Sequence, residues 1–165
     1  MRIAFIGGGV MAQAIIAGVK DAGIDASIIV GEPFEARRES LKNDLAVEVT
    51  ASNREAIAGA DIVVLSVKPQ QLDAVADELK GALEANQTVL SIMAGVKMHS
   101  IGLKLNHTRL VRVMPNTPAQ IRKGISAWTA SEDVANATQD FVAGMLNAIG
   151  DELKFADEKS VDIAT

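Results

Sequence analysis

The stretch Gly7-Gly8-Gly9-Val10-Met11-Ala12 lies between an apolar run, IAFIG, and a run of helical periodicity, MAQAIIAGVKDAG, which ends at Gly23. Glycines at such a junction turn a buried strand sharply into a helix, so the chain must begin with a βα unit. The rest keeps the same rhythm. ASIIVG reads as a strand, FEARRESLKNDL as a helix with a charged outer face, VEVT as a short strand and ADIVVLSV as the strongest strand signal. PQQLDAVADELKGAL follows as a helix with Pro69 in its first turn, where a missing N–H costs nothing. QTVLSIM (strand), MHSIGLKL (short helix) and TRLVRVM (strand) come next, then GISAWTA (strand), DVANATQDFVAGMLNAIG (helix) and DELKFA (strand). Strands that are apolar throughout need cover on both faces. The expected fold is α/β: a Rossmann-type, doubly wound, mostly parallel sheet with helices on both faces, as one domain over residues 1–165.

The glycine stretch matches G-x-G-x-x-A, and an acidic residue, Glu32, lies 20 residues beyond Ala12. Each position has a physical reason in a dinucleotide site. Gly7 permits the tight turn, and Gly9 has no side chain to keep a pyrophosphate off the backbone. Ala12 allows close helix–strand packing, and the helix N-terminus offers free N–H groups and a partial positive charge. The competing reading is a glycine turn that binds nothing.

Three more loops fall at strand ends, where open α/β sheets bind ligands. Ser66-Val67-Lys68-Pro69 places a cation there, although by itself Lys68 reads as a solvated strand-end lysine. Met93-Ala94-Gly95 offers small residues beside which a ring or ribose can approach the backbone, or else an ordinary turn. In Pro115-Asn116-Thr117-Pro118, two prolines stiffen a polar, non-titrating pair suited to positioning a ligand. These residues are also common turn formers.

Other chemistries find less support. The chain has no cysteine, which excludes disulfides, thiolate metal sites and cysteine nucleophiles. His99 and His107 stand eight apart, too far for a pair on one helix face, and both read as surface residues; no metal site is expected. Asp21 and Asp25 flank a helix end and read as solvation. A net charge of −5 without a basic block, and only five aromatic residues among Phe, Trp and Tyr, argue against nucleic acid as a partner. No apolar run spans a bilayer and no leader pattern opens the chain, so the expectation is a cytoplasmic protein without membrane partners.

FIGGGVM (Phe5 to Met11), VKP (Val67 to Pro69), AGV (Ala94 to Val96) and RVMPNTP (Arg112 to Pro118) together resemble, in order and spacing, the N-terminal domain of pyrroline-5-carboxylate reductases. MPNTP is the specific element. The resemblance implies hydride transfer from NAD(P)H to the imine carbon of 1-pyrroline-5-carboxylate, giving L-proline. It implies cofactor contacts at Ile6, Gly7, Gly8, Gly9, Val10 and Met11, at Asn53, at Ser66, Val67, Lys68 and Pro69, and at Met93, Ala94 and Gly95. It also implies Asn116 and Thr117 beside the nicotinamide, and a homo-oligomer.

Cofactor preference is read two ways. Glu32 suits the ribose 2′-OH of NAD and repels the 2′-phosphate of NADP. The family more often uses NADPH, and Arg37, Arg38 and Asn53 could bind that phosphate. A second functional reading is a regulatory module that senses NAD(P) without catalysis; the stiff PNTP loop separates the two, because a sensor has no need of it. Val161 and Ile163 begin an apolar pattern that stops at Thr165. From this the expectation is a fragment lacking the family's helical dimerisation and substrate domain, able to bind NAD(P)H but not to reduce substrate.

Overall fold

The structure, a computed structural model, describes residues 1–163. The expectation drawn from Thr165 lies outside the described residues. The strands are β1 (Arg2–Ile6), β2 (Ser27–Gly31), β3 (Glu48–Thr50), β4 (Ile62–Leu65), β5 (Thr88–Ser91), β6 (Leu110–Pro115), β7 (Gly124–Ala130) and β8 (Gly150–Lys154). The helices are α1 (Val10–Asp21), α2 (Glu35–Leu45), α3 (Asn53–Ile57), α4 (Leu72–Leu79), α5 (Met98–Leu105), α6 (Asn136–Asn147) and α7 (Glu158–Ile163). Among the described residues no helix is long and apolar enough to cross a membrane.

All eight strands form one sheet in the order β3-β2-β1-β4-β5-β6-β7-β8. The first six run parallel, with Ile6 level with Leu65, Leu65 with Ser91 and Ser91 with Arg112. β7 turns back antiparallel on β6, and β8 then pairs parallel with β7. β7 and β8 therefore extend the same sheet. The chain starts in the middle, winds out to β3 and returns to pair β4 with β1. That reversal opens a crevice between the carboxyl ends of β1 and β4, the place where such sheets take ligands.

Two apolar layers explain the continuous hydrophobic strands. One packs Phe5, Val30, Val64, Leu90 and Trp128 against Ile15 and Ile16 of α1 and Met145 of α6. The other packs Ile6, Ile29, Leu65 and Val89 against Ile57 of α3, Leu79 of α4 and Ile101 of α5. Each such side chain contributes about 1.5–3 kcal/mol on burial, so the layers, not helix propensity, hold the helices.

The structure corrects several sequence expectations. The helix expected from Pro69 to Leu83 is a 3-10 turn, Pro69–Gln71, followed by α4, which ends at Leu79. Gly81, at φ +70°, turns the chain out. α3 was not foreseen; it is only five residues long, although the Ser52 hydroxyl capping the Glu55 N–H is an N-cap signal written in the sequence. His107 is buried, with Nε2 2.7 Å from the Gln87 carbonyl, rather than on the surface. Asp21 is not merely solvated but pairs with Arg122.

Candidate functional site

Every polar group of the glycine turn can be accounted for. Gly7 N–H donates to the Gly31 carbonyl of β2 at 2.8 Å. The Ile6 carbonyl accepts from Ser66 N–H at 3.0 Å, and the Ser66 hydroxyl donates to the Gly7 carbonyl at 2.7 Å. Gly8 N–H donates to Glu32 Oε2 at 3.0 Å, and the Gly8 carbonyl accepts from Gln13 Nε2 at 2.9 Å. Here the protein's own partners stop. Among the described residues the N–H groups of Gly9, Val10 and Met11 donate to no protein acceptor. They form the open N-terminus of α1, a row of donors at the positive end of a helix dipole.

The glycines divide by function. Gly7 has φ +96°, which a side chain rarely tolerates. A Cβ on Gly8 would sit 2.4 Å from Leu41 Cδ1, so α2 packs directly on that residue. Gly9 is different: its φ is −68°, and a Cβ there would meet nothing nearer than Ser66 O at 3.9 Å. Nothing in the fold requires glycine at that position. The space in front of it is open, and the unpaired donors lie beside it.

That space is a cleft of about 140 Å³. Gly7 to Gly9 form its floor, Ser66, Val67 and Lys68 the β4 wall, and Glu32 the β2 wall, with Phe34, Arg37 and Gln71 at the rim. Glu32 is only 1% exposed. Besides Gly8, its carboxylate accepts the Phe34 N–H at 3.2 Å and faces the half-exposed Arg37 at 3.4 Å. Arg38 donates to the carbonyls of Glu32 and Pro33 at 2.8 and 2.7 Å. Phe34 is 65% exposed and lies under the Arg37 guanidinium, 5.8 Å from ring centroid to cation. Lys68 is exposed, enters no ion pair among the described residues, and begins the turn that Pro69 directs. Anionic and aromatic groups can therefore be gripped here by backbone donors, a lysine and a stacked rim.

Other residues singled out from the sequence stand elsewhere. Asn53, at the start of α3, gives its side-chain amide to Glu78 of α4 at 2.7 Å, and its N–H to the same carboxylate at 3.0 Å. Met93 is buried in the apolar layer beneath α4 and α5, so only its backbone, with exposed Ala94 and Gly95, can face a ligand. Gly95 takes φ +71°. Asn116 is exposed, and its Oδ1 accepts the Ile125 N–H of β7 at 2.9 Å. Thr117 opens a 3-10 turn, Thr117–Ile121, whose Ala119 is buried against the α1 layer. Sequence reasoning missed Gln13, Phe34 and Gln71; Phe34 alone left a signal, as an aromatic just past Glu32.

Known proteins bear on this geometry. Residues 2–95 match the family described as NADP oxidoreductase, coenzyme F420-dependent. Over 166 residues the chain is 41% identical to a pyrroline-5-carboxylate reductase of Pseudomonas aeruginosa, covering 99% of this chain and 61% of that protein. The solved structure of a pyrroline-5-carboxylate reductase from Coxiella burnetii matches with a TM-score of 0.92 at 34% identity, over 96% of this chain and 60% of that one. Plasmodium falciparum pyrroline carboxylate reductase, solved with NADP bound, matches with a TM-score of 0.86 at 25% identity, over 100% and 61% of the two chains. The chain thus spans about three fifths of the length of these relatives.

Proposed function

The chain belongs to the NADP oxidoreductase, coenzyme F420-dependent family, and from that premise we propose that it is the cofactor-binding part of an NAD(P)H-dependent reductase converting 1-pyrroline-5-carboxylate to L-proline. The observation that carries this reading is the row of unpaired donors at Gly9, Val10 and Met11, whose first member, Gly9, lines a cleft at the β1–β4 switch point. The substrate is inferred from the named relatives and from the MPNTP segment of the sequence.

Bound NAD(P)H would supply a hydride to the imine carbon, and the imine nitrogen of the substrate would take up one proton to become the amine of proline. The chain's part is to hold and aim. Gly9, Val10 and Met11 would donate to the pyrophosphate, and the open space at Gly9 leaves its backbone accessible to it. Lys68 adds charge beside it. Phe34 and Arg37 offer a stacked rim to the adenine. Asn116, whose oxygen is committed to β7, keeps an amide donor for the reacting end. An imine reduction needs orientation more than a strong base, which suits loops without titrating residues.

Cofactor preference is part of the proposal. Glu32 Oε1 has one backbone donor and retains an acceptor position for a ribose hydroxyl, which favours NADH. Arg37, half-exposed beside it, offers the charge that a 2′-phosphate needs. A homo-oligomer, and a substrate pocket in the part of the relatives that this chain does not cover, complete the reading. The test is calorimetric titration of NADH and NADPH into the purified chain, with a reduction assay on a version as long as its relatives. Binding by the chain and turnover by the longer version are expected; absence of binding to either cofactor would refute the reading.

A further inference from the structure

The glycine turn is held by three side chains from different places, and they act on different peptide planes. Ser66 and Glu32 together fix the Gly7–Gly8 peptide, one at its carbonyl and one at its N–H. Gln13 alone fixes the Gly8–Gly9 peptide, by donating Nε2–H to the Gly8 carbonyl at 2.9 Å. Because a trans peptide is planar, with its C=O and N–H antiparallel, holding the Gly8 carbonyl inward holds the Gly9 N–H outward. That N–H is the first unpaired donor of the row. Its direction is set by no other side chain among the described residues.

We propose that Gln13 is a positioning residue for the cofactor pyrophosphate. It touches no ligand; it reaches back from the second turn of α1 and sets the angle at which Gly9 N–H meets the anion. Without it the Gly8–Gly9 peptide can rotate, since glycines flank it on both sides, and the ordering of that peptide must then be supplied by ligand binding. The inference rests on the dinucleotide reading of the cleft.

The test substitutes Gln13→Met, which keeps length and helix propensity and removes the donor, with Gln13→Ala as a variant free of any packing clash. Dissociation constants are measured by calorimetry for NADH and NADPH, and by NMR titration for adenosine 2′-phosphate, which has no pyrophosphate. Both variants should weaken the two dinucleotides about fivefold, the scale of one lost hydrogen bond, and leave the affinity for adenosine 2′-phosphate unchanged. Unchanged dinucleotide affinity, or an equal loss for the pyrophosphate-free ligand, would overturn the positioning assignment while leaving the cleft's reading standing. Failure of the unsubstituted chain to bind either dinucleotide would instead remove that reading and this proposal together.

Discussion

The glycine turn and the PNTP turn both follow parallel strands at their carboxyl ends, and both drew attention in the sequence, yet they handle their polar groups in opposite ways. At the glycine turn each carbonyl is bonded internally, and a run of N–H groups is left over. At the PNTP turn the conspicuous side chain is used on the fold: Asn116 Oδ1 holds β7 through Ile125 N–H, and the following 3-10 turn packs on α1. The lesson is that a polar residue in a loop advertises a ligand only after its internal obligations are counted. Unspent donors distinguish the first turn, and on the proposed reading they make it the binding surface. The second is first a hinge that reverses the sheet direction, with half of one amide to spare.

The largest expected effect breaks this contrast at its strongest point. Gly9→Val should fold normally, because its backbone is extended and its Cβ meets open space. Cofactor affinity should nevertheless fall at least tenfold, about 1.4 kcal/mol. Calorimetric titration with an unchanged dissociation constant would mean that nothing approaches that backbone. By contrast Gly8→Ala requires the buried end of the Leu41 side chain to shift and should lower the thermal midpoint, which thermal unfolding will show.

Asn116 sharpens the other side. Asn116→Ala leaves Ile125 N–H without its partner and should cost about 1 kcal/mol of stability. Asn116→Asp restores the acceptor and should recover that loss in a denaturant midpoint. If the spare amide serves the reaction, both variants should lower turnover in the longer protein more than cofactor affinity. Recovery of turnover by the Asp variant would show that the residue is purely structural.

A smaller effect is expected at Glu32. Glu32→Ser should shift preference towards NADPH and also loosen Gly8; Glu32→Gln keeps an oxygen for Gly8 N–H and isolates the charge. The ratio of the two dissociation constants should move severalfold, on the order of 1 kcal/mol, in both variants. A constant ratio would assign the preference to Arg37.

The smallest effect lies on the PNTP side of the sheet, where α7 docks through Glu158 and Asp162 onto buried Arg112. Asp157 begins α7, and the Ser160 N–H and hydroxyl hold its carboxyl below the ordinary carboxylate range. A lowered folded value means that this contribution is present above the unfolded pKa and is lost as pH falls through the lowered one. Protection factors of amide exchange in α7, corrected for the intrinsic rate at each pH, should fall modestly in acid while those at the glycine turn do not. Asp157→Asn should reduce that pH dependence, leaving the part that comes from Glu158 and Asp162.

Much of this was legible before any coordinates. The G-x-G-x-x-A spacing after an apolar strand identified the βα unit, with the tight turn at Gly7 and the buried Ala12 that it implies. Continuous apolar strands determined a sheet covered on both faces. The order of motifs, ending in MPNTP, pointed to the reductases that the chain resembles. All of these are properties of short stretches, where backbone sterics and periodicity act over a handful of positions.

What tertiary structure decided is who bonds to whom across the sheet. Glu32 meets Gly8 because β2 lies beside β1, and Ser66 meets Gly7 because β4 lies on the other side. Asn53 could not be read as the partner of Glu78, nor Asp21 as that of Arg122, since each pair is separated by long stretches of chain. A hydrogen-bonding group states its capacity in the sequence, but packing alone determines whether that capacity is consumed inside the protein or left over for a ligand.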